Sequence, residues 1–145
     1  QRDCGEDVSG LAGAGAAGGL PAGLAATLGA RLVSGFDVVA RCVRLRERLE
    51  ASVMCLTGEG CIDSQTIGGK VVAGVARLAH AANVAVIAFT GVVRCESGQT
   101  VAGLAAALGL RQIVCVTPPQ TLLPTALAAT AENLHAAAGR VCAAL

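Results

Sequence analysis

Three short apolar runs set between stretches of helical period limit what this chain can become. Val53–Leu56, Val84–Phe89 and Gln112–Val116 are each mostly apolar and bounded by Gly, Pro or polar residues. Such runs suit strands buried on both faces of a parallel sheet better than half-exposed ones. Between them, Val71, Val75, Leu78 and Ala82 recur at helical spacing, and Val101–Leu108 reads as a short helix. Thr121–Ala144 reads as a long Ala-rich helix, broken near Pro124. Phe36–Leu49 reads as one amphipathic helix, with Arg41, Arg44, Arg46 and Arg48 on a solvated face. The alternation of strand and helix requires right-handed crossovers. It predicts an α/β fold, a three-layer α/β/α arrangement around a small, mainly parallel sheet.

Chemistry concentrates after the first run, in Thr57–Lys70, TGEGCIDSQTIGGK. In open α/β sheets ligands bind beyond the C-terminal ends of the strands, where loops and helix N-termini converge. Gly58 and Gly60 are read as bends that bring main-chain amides close to a ligand. Glu59 and Asp63 are carboxylates on either side of that bend, and both are expected to face one pocket. Gln65 and Thr66 add neutral hydrogen-bonding groups, Gly68 and Gly69 a second turn, and Lys70 a point charge at a helix start. The set suits an anionic substrate with Mg²⁺ held by Glu59 and Asp63 together with phosphates. The simpler reading of the same residues is that Asp63 or Ser64 caps the following helix and Glu59 is solvated. This is not a Walker A loop, because Ser64 stands at the first Gly position relative to Gly69-Lys70 and Val71 follows the Lys.

The same stretch resembles the signature of the type I glycerate kinases, in which GEG-x-x-D-x-Q-T-x-x-G-K follows a buried strand. The resemblance extends to GAGAAGGLPAGLAATLGARL (Gly13–Leu32), VAVIAFTG (Val84–Gly91) and TAENLHAAA (Thr130–Ala138), in the family's order. It implies phosphoryl transfer from ATP to a hydroxyl of D-glycerate, giving phosphoglycerate, with ATP and Mg²⁺ as cofactors. On that reading the catalytic candidates are Asp63, Glu59 and Lys70. The cofactor-binding candidates are Gly15, Gly18, Gly19, Gly58, Gly60, Gln65 and Thr66. Type I glycerate kinases are considerably longer and have two α/β domains with the site between them. A chain of 145 residues then corresponds to the C-terminal part. Residues 1–12 read as a frayed or truncated stub, and 13–145 as a single α/β domain. A start at Gln1, with no initiator Met and no early Ser-Phe-Lys-Gly type motif, fits a truncated or processed product. The partner expected is glycerate, together with the missing N-terminal kinase portion or a second copy. Cys61 stands where the family often has Arg, so a cation beside the phosphates is lost.

Composition excludes several classes. A formal net charge of +1 gives no broad field for nucleic acid or an anionic membrane. With no Trp or Tyr and 2 Phe, there are no stacking platforms for single strands either. Val8–Ala30 lacks charge, but its Gly, Ala and Pro21 supply little transfer free energy for a membrane span. The 7 cysteines form no CxxC pair, and reduced thiols in the cytoplasm are the economical reading. Cys55 and Cys115 are expected to be small buried hydrophobes. Gly13–Gly18 formally matches GxGxxG, with Asp37 at the distance of a ribose-binding acid, but no strand is expected before it. Three functions follow: a glycerate kinase fragment, a non-catalytic binding module derived from one, and a dinucleotide-binding domain.

Overall fold

The computed structural model describes residues 7–144, and the chain divides into two compact units, Gln1–Val39 and Ala40–Leu145. The described part of the first unit holds a 3-10 turn, Ala16–Gly19, and a helix α1, Leu20–Leu28. Pro21 sits in the first turn of α1, where its missing N–H costs nothing, and Gly29 closes the helix in the left-handed conformation at φ 62°. No strand occurs between residues 7 and 53. The dinucleotide fingerprint therefore lacks the strand its turn would have to follow. Of the expected stub 1–12, residues 1–6 lie outside the described residues.

The helix expected over Phe36–Leu49 is two helices, α2 (Gly35–Cys42) and α3 (Leu45–Glu50). Arg44 takes φ 53°, a left-handed residue that no continuous α-helix accepts. Leu49 is buried, and Arg41, Arg44, Arg46 and Arg48 are exposed, as an amphipathic pattern requires.

The second unit is built on three parallel strands in the order β1 (Met54–Ile62), β2 (Ala85–Val93), β3 (Gln112–Cys115). Helix α4 (Val71–Ala81) crosses from β1 to β2, and α5 (Val101–Ala107) from β2 to β3. Thr100 caps α5, its Oγ1 accepting from the Gly103 N–H at 3.1 Å. The final segment is α6 (Leu123–Ala128) and α7 (Thr130–Ala143), interrupted at Ala129; Pro124 lies in the first turn of α6 and does not break a longer helix.

Strand β2 is the hydrophobic centre and both its faces are covered. Ile87 and Phe89 pack against Ala137, Ala138 and Val141 of α7, while Val86, Ala88 and Thr90 are buried on the opposite face. Helix α4 packs on β1 and β2. This is the expected three-layer arrangement. Strand β1 differs from expectation. It has one neighbouring strand, and its residues 55–61 alternate between half-buried and exposed before the buried Ile62, while Val53, just before it, is 97% exposed. Cys115 is exposed and not a buried hydrophobe, because β3 is the other edge. Among the described residues no helix is long and apolar enough to cross a membrane.

Candidate active site

The stretch read as a bend is strand. The ladder between β1 and β2 continues through Thr57↔Ala88, Gly58↔Phe89 and Glu59↔Thr90 to Ile62↔Val93. Because β2 itself runs on to Val93, Gly58, Glu59, Cys61 and Ile62 stay in register with it and no turn forms at the glycines. Gly58 is needed for another reason. A Cβ there would stand 2.5 Å from the Phe89 carbonyl oxygen, so the two strands approach too closely for any side chain. The turn begins at Asp63, which opens a 3-10 helix, Ser64–Gly68.

A strand sends alternate side chains to opposite faces. Leu56, Gly58 and Gly60 therefore share the face of Phe89 and α7, and Thr57, Glu59 and Cys61 the other. On the second face a compact polar array forms. The Thr66 hydroxyl donates to Glu59 Oε1 at 2.7 Å and accepts from the Asp63 N–H at 3.2 Å. The Thr66 N–H donates to Asp63 Oδ1 at 3.2 Å, completing a reciprocal cap on the 3-10 helix. Lys70 Nζ lies 3.4 Å from the same Asp63 oxygen, with the two side chains 42% and 20% exposed. The Cys61 thiol lies 3.9 Å from Asp63 Oδ2. Thr66 itself is fully buried, so its hydroxyl serves neighbours within the protein.

Burial pushes the Asp63 carboxyl up. The Lys70 charge, its hydrogen bond and the N–H groups of Thr66 and Gln65 act the other way and leave it below the ordinary carboxylate value. A lowered folded-state value means the array is held at neutral pH and loosens as pH falls through that value. Replacing Lys70 by Ala is expected to move the Asp63 titration, followed by carboxyl ¹³C NMR, to higher pH. No movement would show that Lys70 does not act on Asp63.

The first face carries a cavity of about 710 Å³ between the C-terminal half of the sheet and α6–α7. Its floor includes Gly58, Gly60 and Gly91, and its walls Phe89, Val116, Leu127 and Leu134. Thr57 and Glu59 also border it, although strand alternation directs the Glu59 side chain to the opposite face, where Thr66 holds it. The apolar cavity and the carboxylate array are thus back to back on β1. Sequence reasoning missed the cavity, because its outer wall comes from the leucines of α6 and α7, far along the chain.

The sequence-derived candidates separate accordingly. Glu59, Asp63, Thr66 and Lys70 come together; Gln65 is exposed beside them. Gly58 and Gly60 floor the cavity. Gly15, Gly18 and Gly19 belong to the first unit, the latter two at φ 69° and 91° in its 3-10 turn. Cys42, Cys55, Cys61, Cys95, Cys115 and Cys142 are free thiols.

A family model described as the glycerate kinase family matches residues 1–145. The glycerate kinase of Halalkalibacterium halodurans is 43% identical over 91 residues, which is 63% of this chain and 24% of that protein. The glycerate 2-kinase of Escherichia coli K12 is 47% identical over 85 residues, 59% of this chain and 22% of that protein. The glycerate kinase of Bacillus cereus is 33% identical over 137 residues, 94% of this chain and 35% of that protein. The crystal structure of a putative glycerate kinase 2 from Salmonella typhimurium LT2 superposes with a TM-score of 0.59 at 32% identity, covering 98% of this chain and 35% of that one. The chain spans 22–35% of the length of these relatives.

Proposed function

The chain belongs to the glycerate kinase family, and from that premise we propose that it forms one wall of a site that moves the γ-phosphoryl group of ATP to a hydroxyl of D-glycerate. The observation that carries this reading is the array of Glu59, Thr66, Asp63 and Lys70 beside the C-terminal end of β1. In the reaction the glycerate oxygen bonds to the γ-phosphorus, the bond from that phosphorus to the bridging oxygen of ADP breaks, and the hydroxyl proton is released to solvent. Such chemistry needs positioning and charge neutralisation more than covalent help. Lys70 contacts an anionic oxygen of the substrate, and Glu59 or Asp63 orients the attacking hydroxyl. Gly58 and Gly60 leave the cavity face of β1 open for a ligand to approach the backbone.

Among the described residues no group of three or more His, Cys, Asp or Glu could hold a metal ion unaided. Mg²⁺ does not need such a cage, since it is commonly bound through one or two carboxylates plus substrate phosphates. Glu59 and Asp63 fit that partial role, and Mg²⁺ held there would neutralise charge on the phosphates. Further kinase sequence completes the site, in the same polypeptide or a separate one, and residues 13–145 correspond to the C-terminal part of such an enzyme. Reduced cysteines are compatible with a cytoplasmic location.

A second reading, a module that binds without turning over, draws on the exposed apolar rim of Leu122, Leu123 and Leu127 at 75%, 67% and 66%. Coupled ADP release with D-glycerate, ATP and Mg²⁺ separates the two. The assay is run on the chain alone and on the chain mixed with the remaining portion of a glycerate kinase. Turnover in either arm is the expected result, whereas silence in both would leave the binding module.

A further inference from the structure

We infer that Thr66 is a positioning residue: its buried hydroxyl bridges the Asp63 cap and the Glu59 carboxylate and fixes which Glu59 oxygen is free for a ligand. The role given to Glu59 rests on the proposed kinase reading; the bridge itself does not.

A reciprocal cap needs only an acceptor on the third residue of the helix, and Glu or Gln is the usual choice. Thr66 meets that need with a hydroxyl lone pair, which takes the Asp63 N–H at 3.2 Å. The hydroxyl proton is then left over, and it goes to Glu59 Oε1 at 2.7 Å, the nearer of two acceptors, with Asp63 Oδ1 at 3.4 Å. A Glu in the same place would be acceptor-only and would repel Glu59. Thr therefore does something at this position that a capping Glu cannot.

The geometry is stiff at both ends. Thr66 is β-branched and fully buried, so its χ1 has little freedom. Glu59 sits on a strand paired to β2 through Thr90. Its side chain would otherwise lose rotamer freedom on meeting a ligand, and a charge-assisted hydrogen bond of this length removes that freedom beforehand. One oxygen, Oε1, is committed to Thr66, and Oε2 is left to the ligand. Because Thr66 also holds Asp63 through its N–H and its hydroxyl, the two carboxylates keep a fixed relation to each other.

The wild-type chain alone carries the first measurement. The Thr66 hydroxyl proton should exchange slowly enough to be seen by NMR, with a cross-peak to the Glu59 side chain. A hydroxyl proton exchanging at the solvent rate would overturn the inference with no variant needed. Thr66→Val is expected to spread Glu59 over several rotamers, read from three-bond couplings, and Thr66→Ser to restore one. In the assembled kinase Thr66→Val should lower kcat by about 10-fold with KM nearly unchanged. Thr66→Ser should recover most of that loss, and the Thr66→Val effect should vanish in a Glu59→Gln background. A single Glu59 rotamer in Thr66→Val, or an undiminished kcat loss in that background, counts against Thr66. An assembly without any turnover removes the kinase reading, while the rotamer result still decides on Thr66.

Discussion

Asp63→Asn is expected to lower turnover in the assembled kinase by about 100-fold or more while leaving the fold nearly as stable. The two halves of that expectation come from different properties of one side chain. As a helix cap, Asp63 works through an oxygen that accepts the Thr66 N–H, and Asn is about as good a cap as Asp. Lys70, deprived of its ion-pair partner, is 42% exposed and can be hydrated, so little is lost there. The unfolding temperature should therefore stay close to that of the unaltered chain. The negative charge has no such substitute. In the proposed site it balances Lys70 and takes part in holding Mg²⁺ against the phosphates, and a neutral amide does neither. Coupled ADP release and thermal unfolding on the same sample separate the cases. Full turnover would remove Asp63 from the site, and a large fall in stability with proportionate loss of activity would make it a cap alone.

Helix α4 and strand β2 were legible in the sequence because local signals agree there with the packed result. Val75 and Leu78 repeat at helical spacing and are buried in α4, and Val84–Phe89 is a continuous apolar run in the one strand with neighbours on both sides. Strand β1 was misjudged for the converse reason. Its apolar start resembles that of β2, but an edge position leaves Leu56 48% exposed, and position in the sheet is not written in a local run. The break at Arg44 could not be read either, since nothing in its neighbourhood announces a left-handed arginine. Within the site, residue types and spacing pointed to Glu59, Asp63 and Lys70 as neighbours. Which face each would take depended on whether Gly58 and Gly60 bend or extend, and glycine permits both. The pairing with β2 decides it, and that pairing involves residues some thirty positions away.

Those two glycines give the sharpest stability contrast. Gly58→Ala is expected to destabilise the chain by about 1–3 kcal/mol, as overpacked positions do, and to lower the unfolding temperature by several degrees. The added Cβ would meet the Phe89 carbonyl oxygen at 2.5 Å, a backbone atom in the central strand that cannot swing aside as a side-chain tip would. Relief requires β1 and β2 to separate locally, which stretches the ladder on either side of Gly58↔Phe89. The same change two residues later meets nothing within 4 Å. Gly60→Ala should leave the unfolding free energy within about 0.5 kcal/mol, since the extended backbone accepts Ala and the unfolded chain loses some freedom. Its methyl would project into the floor of the 710 Å³ cavity. Thermal unfolding of the two variants side by side therefore distinguishes a glycine the sheet requires from one it merely tolerates. Equal losses would mean that the strands do not approach at Gly58 as closely as the Phe89 contact demands. A stable Gly60→Ala that raises KM in the assembled kinase would tie the cavity to substrate, and one that leaves KM alone would leave the carboxylate face of β1 as the place where ligand is held.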